Sequence, residues 1–169
     1  DNFNSKKIIN AISPSKDIDG LTDYNKLKLY DDKSVLVPCT PKGIIKILKY
    51  YNILLEDKNV VIIGRGELVG KPLIPLLLKE NANVTVCHSK TSNLSKYTKN
   101  ADIIICATNK INILTKDMVN SNWTVIDAGS SYKDGKIYGN ATIELINQVK
   151  NITPVPGGVG PLTVAMFLE

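Results

Sequence analysis

A glycine-rich turn stands where an apolar run gives way to a helical pattern. Gly64, Gly66 and Gly70 follow the β-branched run 59–63. Glycine lets a backbone come close to a diphosphate, and the amino end of the helix that follows offers free N–H groups and the positive end of a dipole. The interval from Gly66 to Gly70 is one residue longer than in the usual dinucleotide-binding motif. The turn therefore indicates an anion site, with a tight strand-to-helix turn that binds nothing as the alternative.

Positive and hydroxyl side chains near this turn indicate the kind of dinucleotide. Arg65 lies inside the turn, and an arginine fork binds a phosphate with two parallel hydrogen bonds. Ser89 and Lys90 follow the next predicted strand, where enzymes that use NAD usually carry an acid for the adenosine ribose. The site therefore favours NADP over NAD, with a polar loop that binds no ligand as the alternative. His88, the single histidine, has no Ser or Cys nucleophile with a supporting carboxylate beside it, so we expect a structural role.

A second unusual segment lies near the carboxyl end of the chain. Residues 153–163 run Thr-Pro-Val-Pro-Gly-Gly-Val-Gly-Pro-Leu-Thr, with rigid prolines on both sides of flexible glycines. Such a loop holds backbone N–H and C=O groups in a fixed shape, which suits close contact with a flat ligand. A purely structural turn between a strand and a helix is the alternative.

The elements that must position these two segments alternate between strand and helix. Short β-branched apolar runs predict strands. The predicted strands are 59–63, 83–87, 102–106, 123–126 and 152–155. The polar stretch 22–33 is expected to be loop. Since strands that alternate with helices form parallel sheets with right-handed crossovers, we predict an α/β fold, a doubly wound parallel sheet of the Rossmann type.

Composition and charge exclude several other classes of protein. Of the 169 residues, 43% are hydrophobic and 22% are charged, which is ordinary for a globular domain with a buried core. The net charge of +5 is interspersed with acids and not with aromatics, so we expect no nucleic-acid partner. We also expect no membrane span and no signal peptide. Cys39, Cys87 and Cys106 lack metal-ligand spacing, which predicts buried reduced thiols, no metal site and an intracellular protein.

Five blocks of the sequence resemble the signature blocks of one family, in the family's order and at similar intervals. The blocks are Lys16–Leu21, Val37–Gly43, Gly64–Gly66 with Val69–Pro72, Cys87–Thr91 and Pro154–Pro161. The resemblance runs across nearly the whole chain, and its second and last blocks are highly specific. The chain thus resembles the NAD(P)-binding, carboxyl-terminal part of the bifunctional methylenetetrahydrofolate dehydrogenases/methenyltetrahydrofolate cyclohydrolases.

The resemblance implies an enzyme of one-carbon metabolism, and one-carbon metabolism supplies purine biosynthesis. Such enzymes oxidise 5,10-methylenetetrahydrofolate to methenyltetrahydrofolate with NADP or NAD, and hydrolyse that product to 10-formyltetrahydrofolate. By match, the residues that would contact the cofactor are Gly64, Arg65, Gly66, Ser89 and Ser130. Ser130 occupies a position where the family usually has Ile.

The resemblance also assigns a folate side. Asp19 would anchor the pterin ring, because its carboxylate accepts hydrogen bonds from the adjacent amide and amino groups of the ring. It is the one residue of this chain to which the resemblance gives a catalytic role. The folate-side wall would comprise Pro156, Gly157, Gly158, Val159, Gly160, Pro161, Leu162, Thr163 and Val164. We expect this wall and the turn around Gly64 to line opposite sides of one crevice.

A division into domains follows from the same resemblance. Residues 1–36 are expected to be the tail of an N-terminal catalytic domain with its linker, 37–155 the dinucleotide-binding domain, and 156–169 the folate-side loop with the start of a C-terminal helix. The family's catalytic Lys, and the Tyr one helical turn before it, belong to that N-terminal domain. We therefore expect about another hundred residues upstream, a typical domain's length. A homodimer through the dinucleotide-binding domain and a cytoplasmic location are also expected, with an organelle as the alternative.

Four departures from the family pattern cluster around the nicotinamide half of the cofactor site. Gly66 stands where the family usually has Ser, and Asn109 where it usually has Gly. Residues 128–131 (Ala-Gly-Ser-Ser) and 139–141 (Gly-Asn-Ala) replace the usual Val-Gly-Ile-Asn and Gly-Asp-Val. Two alternatives therefore accompany the main hypothesis: a cyclohydrolase with degraded dehydrogenase activity, and a non-catalytic module that binds a dinucleotide or folate.

Overall fold

The computed structural model describes residues 3–31 and 36–169 of the chain. Within these ranges the helices are α1 (Ser5–Ile9), α2 (Asp23–Tyr30), α3 (Cys39–Tyr50), α4 (Gly70–Lys79), α5 (Ser95–Thr98) and α6 (Val159–Leu168). The strands are β1 (Asn59–Ile63), β2 (Asn83–Cys87), β3 (Ile103–Cys106), β4 (Thr124–Asp127), β5 (Ser131–Lys133), β6 (Lys136–Tyr138) and β7 (Asn151–Ile152). Short 3₁₀ turns lie at Pro14–Lys16, Lys116–Met118 and Ile143–Asn147.

Five of the described strands form one sheet, in the order β2-β1-β3-β4-β7. Every neighbouring pair in it is parallel. The chain places β2 on one side of β1 and then crosses to the other side for β3, so the direction of winding reverses between β1 and β3. This confirms the predicted doubly wound, Rossmann-like sheet, and such sheets bind ligands at the carboxyl ends of the strands where the winding reverses.

Both faces of the sheet are covered by apolar side chains. Val60 and Ile62 of β1 pack on one face with residues of α3, α4 and α6. Val61 and Ile63 pack on the other face with Leu145 and with residues around α5. A strand that is buried on both faces needs a continuous apolar run, which is why these strands were predictable from composition. β5 and β6 form a separate antiparallel hairpin beside the sheet.

Some predicted boundaries differ from the structure. The stretch 22–33 was expected to be loop, but it contains α2, which begins where the Thr22 hydroxyl accepts from the Asn25 N–H at 3.3 Å. Residues 32–35 lie outside the described part of the chain. The last strand was expected at 152–155 and lies at Asn151–Ile152, because proline at 154 has no N–H to continue the ladder. None of the described helices is long and apolar enough to cross a membrane.

Candidate functional site

The glycine turn leaves β1 at the carboxyl edge of the sheet and folds back tightly. Gly64 has a φ of +127°, and a Cβ at this position would overlap the carbonyl of Ala107. A Cβ at Gly70 would overlap the carbonyl of Gly64. Both positions therefore require glycine. Gly66 differs, because a Cβ there would meet nothing within 4 Å, so the turn leaves open space at this point.

A cavity of about 450 Å³ lies at the carboxyl ends of β1, β2 and β3. It is lined by Ile63, Gly64, Arg65, Gly66, His88, Ser89, Thr91, Leu94, Ala107, Thr108, Asn109, Lys110 and Ile113. This is the point where the winding of the sheet reverses, which is where doubly wound folds bind ligands. The structure thus brings together four of the residues that the sequence predicted for the cofactor. These four are Gly64, Arg65, Gly66 and Ser89.

The fifth predicted cofactor residue, Ser130, does not line this cavity. Ser130 is exposed after the end of β4. The next residue, Ser131, reaches the cavity wall instead, because its hydroxyl donates to the carbonyl of Asn109 at 3.0 Å. In this segment the hydroxyl that touches the site is therefore that of Ser131.

The charge of the cavity is positive. Arg65 and Lys110 both line it, and no acidic residue of the described chain does. Neither of these two side chains has a hydrogen bond or an ion pair with any residue of 3–31 or 36–169. Cations without a protein partner, in a cavity with an open glycine turn, fit an anionic ligand such as the phosphates of a dinucleotide.

His88 holds the turn that follows β2. Its Nδ1 accepts from the Lys90 N–H at 3.2 Å, and its own backbone N–H donates to the Thr91 hydroxyl at 3.0 Å. These bonds fit the structural role that we expected for this residue. Lys90 itself lies outside the lining of the cavity.

Of the cavity wall after β3, sequence reasoning placed only Asn109 near the cofactor and assigned no role to its neighbours. Residues 107–110 and Ile113 form this wall. Since β3 lies next to β1 in the sheet, a loop at the carboxyl end of β3 must face the glycine turn. The available signal was the rule for doubly wound sheets, applied to the loop after the third strand.

A buried acid lies behind this wall, at the end of β4. Asp127 is 2% exposed and accepts from the backbone N–H groups of Gly129 at 2.9 Å and Ala141 at 2.7 Å. Burial raises the pKa of Asp127, although these hydrogen bonds oppose the increase. Through these hydrogen bonds the carboxyl group links the end of β4 to the segment that follows β6.

Asp19, the predicted pterin anchor, lies apart from the cavity. It is exposed, in the turn before α2, next to the buried thiol of Cys39 at the start of α3. Burial raises the pKa of Cys39, and the neighbouring Asp19 carboxylate raises it further. Gly20, with a φ of +61°, lets this turn pack against Pro38.

The predicted folate-side wall meets the same end of α3. Thr163 in α6 forms a hydrogen bond of 3.0 Å with the Thr40 hydroxyl, and Leu162 packs against Gly43. Val159 is buried in the core. The wall residues that are exposed are Pro156, Gly157, Gly160, Pro161 and Val164. The structure therefore brings Asp19 and this wall to the amino end of one helix.

The expected single crevice between the wall and the glycine turn is not found in the described residues. Both segments follow strands of the parallel sheet, so both lie at its carboxyl edge, but β3 and β4 separate them. Gly157 and Gly158 line a second groove of about 900 Å³, between α3, α6 and the β4–β7 edge. Part of the predicted wall thus lines a separate hollow, and Asp19 lines neither of the two.

The whole dinucleotide-binding region matches a known family. Residues 38–169 match the model of the tetrahydrofolate dehydrogenase/cyclohydrolase NAD(P)-binding domain. The chain belongs to this family. This confirms the resemblance that the five sequence blocks carry.

Individual members of the tetrahydrofolate dehydrogenase/cyclohydrolase family are similar over the same length. The bifunctional protein FolD of Malacoplasma penetrans is 52% identical over 169 residues, which is 99% of this chain and 60% of that protein. The crystal structure of FolD from Campylobacter jejuni has a TM-score of 0.93 and 45% identity, over 98% of this chain and 60% of that one. The FolD structure from Trypanosoma brucei, complexed with NADP cofactor and inhibitor, has a TM-score of 0.92 and 30% identity, over 99% of this chain and 60% of that one. The chain therefore spans about three fifths of the length of these relatives.

Proposed function

We propose that this chain is the dinucleotide-binding part of a bifunctional folate enzyme. The reaction is the NADP-dependent oxidation of 5,10-methylenetetrahydrofolate to methenyltetrahydrofolate, followed by hydrolysis to 10-formyltetrahydrofolate. The observation that carries the proposal is the cationic cavity at the glycine turn of β1, in a chain that belongs to this family. The NADP complex of the Trypanosoma brucei relative supports the choice of cofactor.

Each part of the cavity has a role in holding NADP. The amino end of α4 points its dipole at the glycine turn, which suits the diphosphate. Arg65 and Ser89 lie at the ends of β1 and β2, where they suit the phosphate on the adenosine ribose. Bound NADP supplies the acceptor for the hydride that leaves the folate. The residues of the protein then orient the two reactants and keep them in contact.

The folate side is proposed to lie at the amino end of α3. There Asp19 accepts hydrogen bonds from the pterin, and residues 156–164 form the wall beside it. We propose the division into 1–36, 37–155 and 156–169 on this basis, with the catalytic Lys of the cyclohydrolase step in an N-terminal domain of the whole protein. That domain would cover Asp19 and the exposed residues of the wall.

An assay of the full-length protein tests the proposal. The expected result is formation of methenyltetrahydrofolate with NADP, followed optically, and its hydrolysis in a second assay without cofactor. Absence of NADP-dependent turnover, with hydrolysis retained, would reject the dehydrogenase half and favour a cyclohydrolase with degraded dehydrogenase activity. Absence of both reactions, with NADP still bound, would favour a non-catalytic binding module.

We also propose that two copies assemble through this domain. Among the described strands, β7 lies at the edge of the sheet, so its outer backbone groups pair with no other described strand. Tyr50, which is 78% exposed, and Tyr51 lie beside the groove next to this edge. Sedimentation of the full-length protein should give the mass of a dimer, and Tyr51→Glu should shift it toward the monomer.

A cytoplasmic location is proposed because the cysteines are buried and free, which suits a reducing compartment. Imaging of the tagged full-length protein tests the location.

A further inference from the structure

Asn140 lies behind the wall of the cavity that follows β3, and its side chain is fully buried. Its Oδ1 accepts from the Thr108 N–H at 2.9 Å. Its Nδ2 donates to the carbonyl of Thr108 at 3.0 Å and to the carbonyl of Lys110 at 2.7 Å. A carboxamide can accept and donate at once, whereas an ionised carboxylate of the same shape can only accept.

Other bonds complete the anchoring of this wall from behind. The Ser131 hydroxyl binds the carbonyl of Asn109, and the Lys110 N–H donates to the Thr108 hydroxyl at 3.1 Å. The backbone of residues 108–110 is therefore bound to the protein, while the side chains of Asn109 and Lys110 are exposed and line the cavity. The position of these two side chains depends on bonds made on the far side of the loop.

Asn140 is itself held in place on several sides. The Leu114 N–H donates to its carbonyl at 3.0 Å, and the next residue, Ala141, is bound by Asp127. A Cβ at Gly129 would overlap the carboxamide, so only glycine leaves room for it there. The side chain thus connects a fixed frame at the end of β4 with the wall of the cavity.

We propose that Asn140 is a positioning residue for the dinucleotide: its buried carboxamide fixes the loop 108–110 in the shape that completes the cofactor cavity. The inference rests on the proposed function for the identity of the ligand, NADP. Asn140 does not touch the cavity, so it acts through the loop. Loss of its two donated bonds frees the Thr108 and Lys110 carbonyls to turn and lets the loop move.

The test is Asn140→Ala in the full-length protein, which removes the acceptor and both donors. NADP should bind about tenfold more weakly, while tetrahydrofolate affinity stays within about twofold. The matched control is Asn25→Ala. Asn25 is also a buried carboxamide with two donated bonds, to Pro14 and Asp17, and it lies outside the cavity. That variant should lose stability but keep its NADP affinity.

Hydrogen exchange of the ligand-free protein gives an independent measurement. Asn140→Ala should speed exchange at Thr108 and in its loop, without the same change in β1. Ser131→Ala is the milder second variant, and it should weaken NADP in the same direction by about twofold to threefold. NADP affinity within twofold of the unaltered protein for folded Asn140→Ala, or for Ser131→Ala if the former does not fold, overturns the inference. If the unaltered protein binds no NADP, the proposed function fails, and exchange at Thr108 then decides whether Asn140 fixes the loop.

Discussion

The cofactor side and the folate side of this chain differ in how tightly their glycines are packed. On the cofactor side, a Cβ at Gly64 or Gly70 would overlap backbone atoms. On the folate side, a Cβ at Gly158 would overlap the Pro154 carbonyl, but one at Gly157 or Gly160 would meet nothing within 4 Å. Two of the three glycines of the turn that begins at Gly64 are therefore packed against backbone, whereas two of the three glycines at 157–160 are open. The contrast agrees with our proposal that the folate side is completed by another part of the whole protein.

Two buried acids, one on each side, have pKa values that are shifted in opposite directions. Asp127, behind the cofactor cavity, has its pKa raised by burial. For Asp17, two residues before the proposed pterin anchor, burial also acts to raise the pKa, but hydrogen bonds from Thr22, Leu21 and Asn25 outweigh it and the pKa is lowered. Both acids accept backbone N–H bonds, but Asp17 also accepts from the Asn25 side chain at 2.9 Å. The additional donor, together with a smaller effect of burial, gives Asp17 the lowered pKa.

Gly64→Ala should give the largest effect and a direct test of the packing contrast. The new Cβ would overlap the Ala107 carbonyl at a φ that disfavours L-residues, so we expect a loss of stability of about 3 kcal/mol and no measurable NADP binding. The matched control is Gly160→Ala, which should change stability by less than about 0.5 kcal/mol and leave NADP binding intact. Urea denaturation and a cofactor titration check both. Similar losses in the two variants would remove the contrast.

Arg65→Ala should give the next largest effect, confined to the cofactor side. If Arg65 binds the extra phosphate of NADP, its loss costs about 1.5–3 kcal/mol of NADP affinity and much less of NAD affinity. Calorimetric titration with both dinucleotides measures the difference. Lys90→Ala is the control, because Lys90 lies outside the lining of the cavity, and it should change the NADP affinity less. Equal losses for NADP and NAD would show that Arg65 does not distinguish them.

The pH dependence of stability should have opposite signs for the two buried acids. Asp127 holds its proton more tightly in the folded protein than its ordinary pKa of 3.8 allows, so its contribution to stability falls as the pH rises from 3.8 through the raised pKa. The pKa of Asp17 is lowered, so its contribution is present above 3.8 and is lost as the pH falls through the lowered value.

The substitutions Asp127→Asn and Asp17→Asn separate these contributions. At neutral pH each should cost about 1 kcal/mol through a weakened hydrogen bond to the backbone. As the pH rises across the acid range, Asp127→Asn should lose less stability than the unaltered protein does. As the pH falls across the same range, Asp17→Asn should lose less stability than the unaltered protein does. Urea denaturation from acid to neutral pH measures both slopes. Slopes of the same sign would contradict the contrast in burial.

The parts of the fold that were predictable from the sequence are those set by local composition. β1 and β2 lie at the predicted residues. β1 is a short β-branched run that is buried on both faces, and in the edge strand β2 apolar residues alternate with exposed polar ones, so both carry a local strand pattern. The helix α2 was missed because its apolar residues, Leu27 and Leu29, are interleaved with lysines and do not form a helical stripe.

The part of the candidate site that was predictable is likewise local. The glycine turn with Arg65 and Ser89 stands in segments that follow strands, and the structure places them in one cavity. Apart from Asn109, which the resemblance placed near the cofactor, the wall after β3 was missed because the order of strands in a sheet is a tertiary property. The role of Asn140 was missed because its bonds to Thr108 join residues that lie 32 positions apart. No local pattern indicates such a pairing.

The smallest predicted effect concerns a direct link between the two sides. Lys26 of α2 forms an ion pair of 2.9 Å with Glu67 in the glycine turn, and Glu67 also pairs with Lys71 of α4. Because Glu67 is 53% exposed and Lys26 is 31% exposed, solvent screens the pair, and Lys26→Ala should cost less than about 0.5 kcal/mol of stability. NADP affinity should also stay within twofold, since Lys26 lies outside the cavity. A larger loss of NADP affinity, abolished by salt, would mean that the N-terminal segment helps to set the glycine turn, and the two sides would then not be independent.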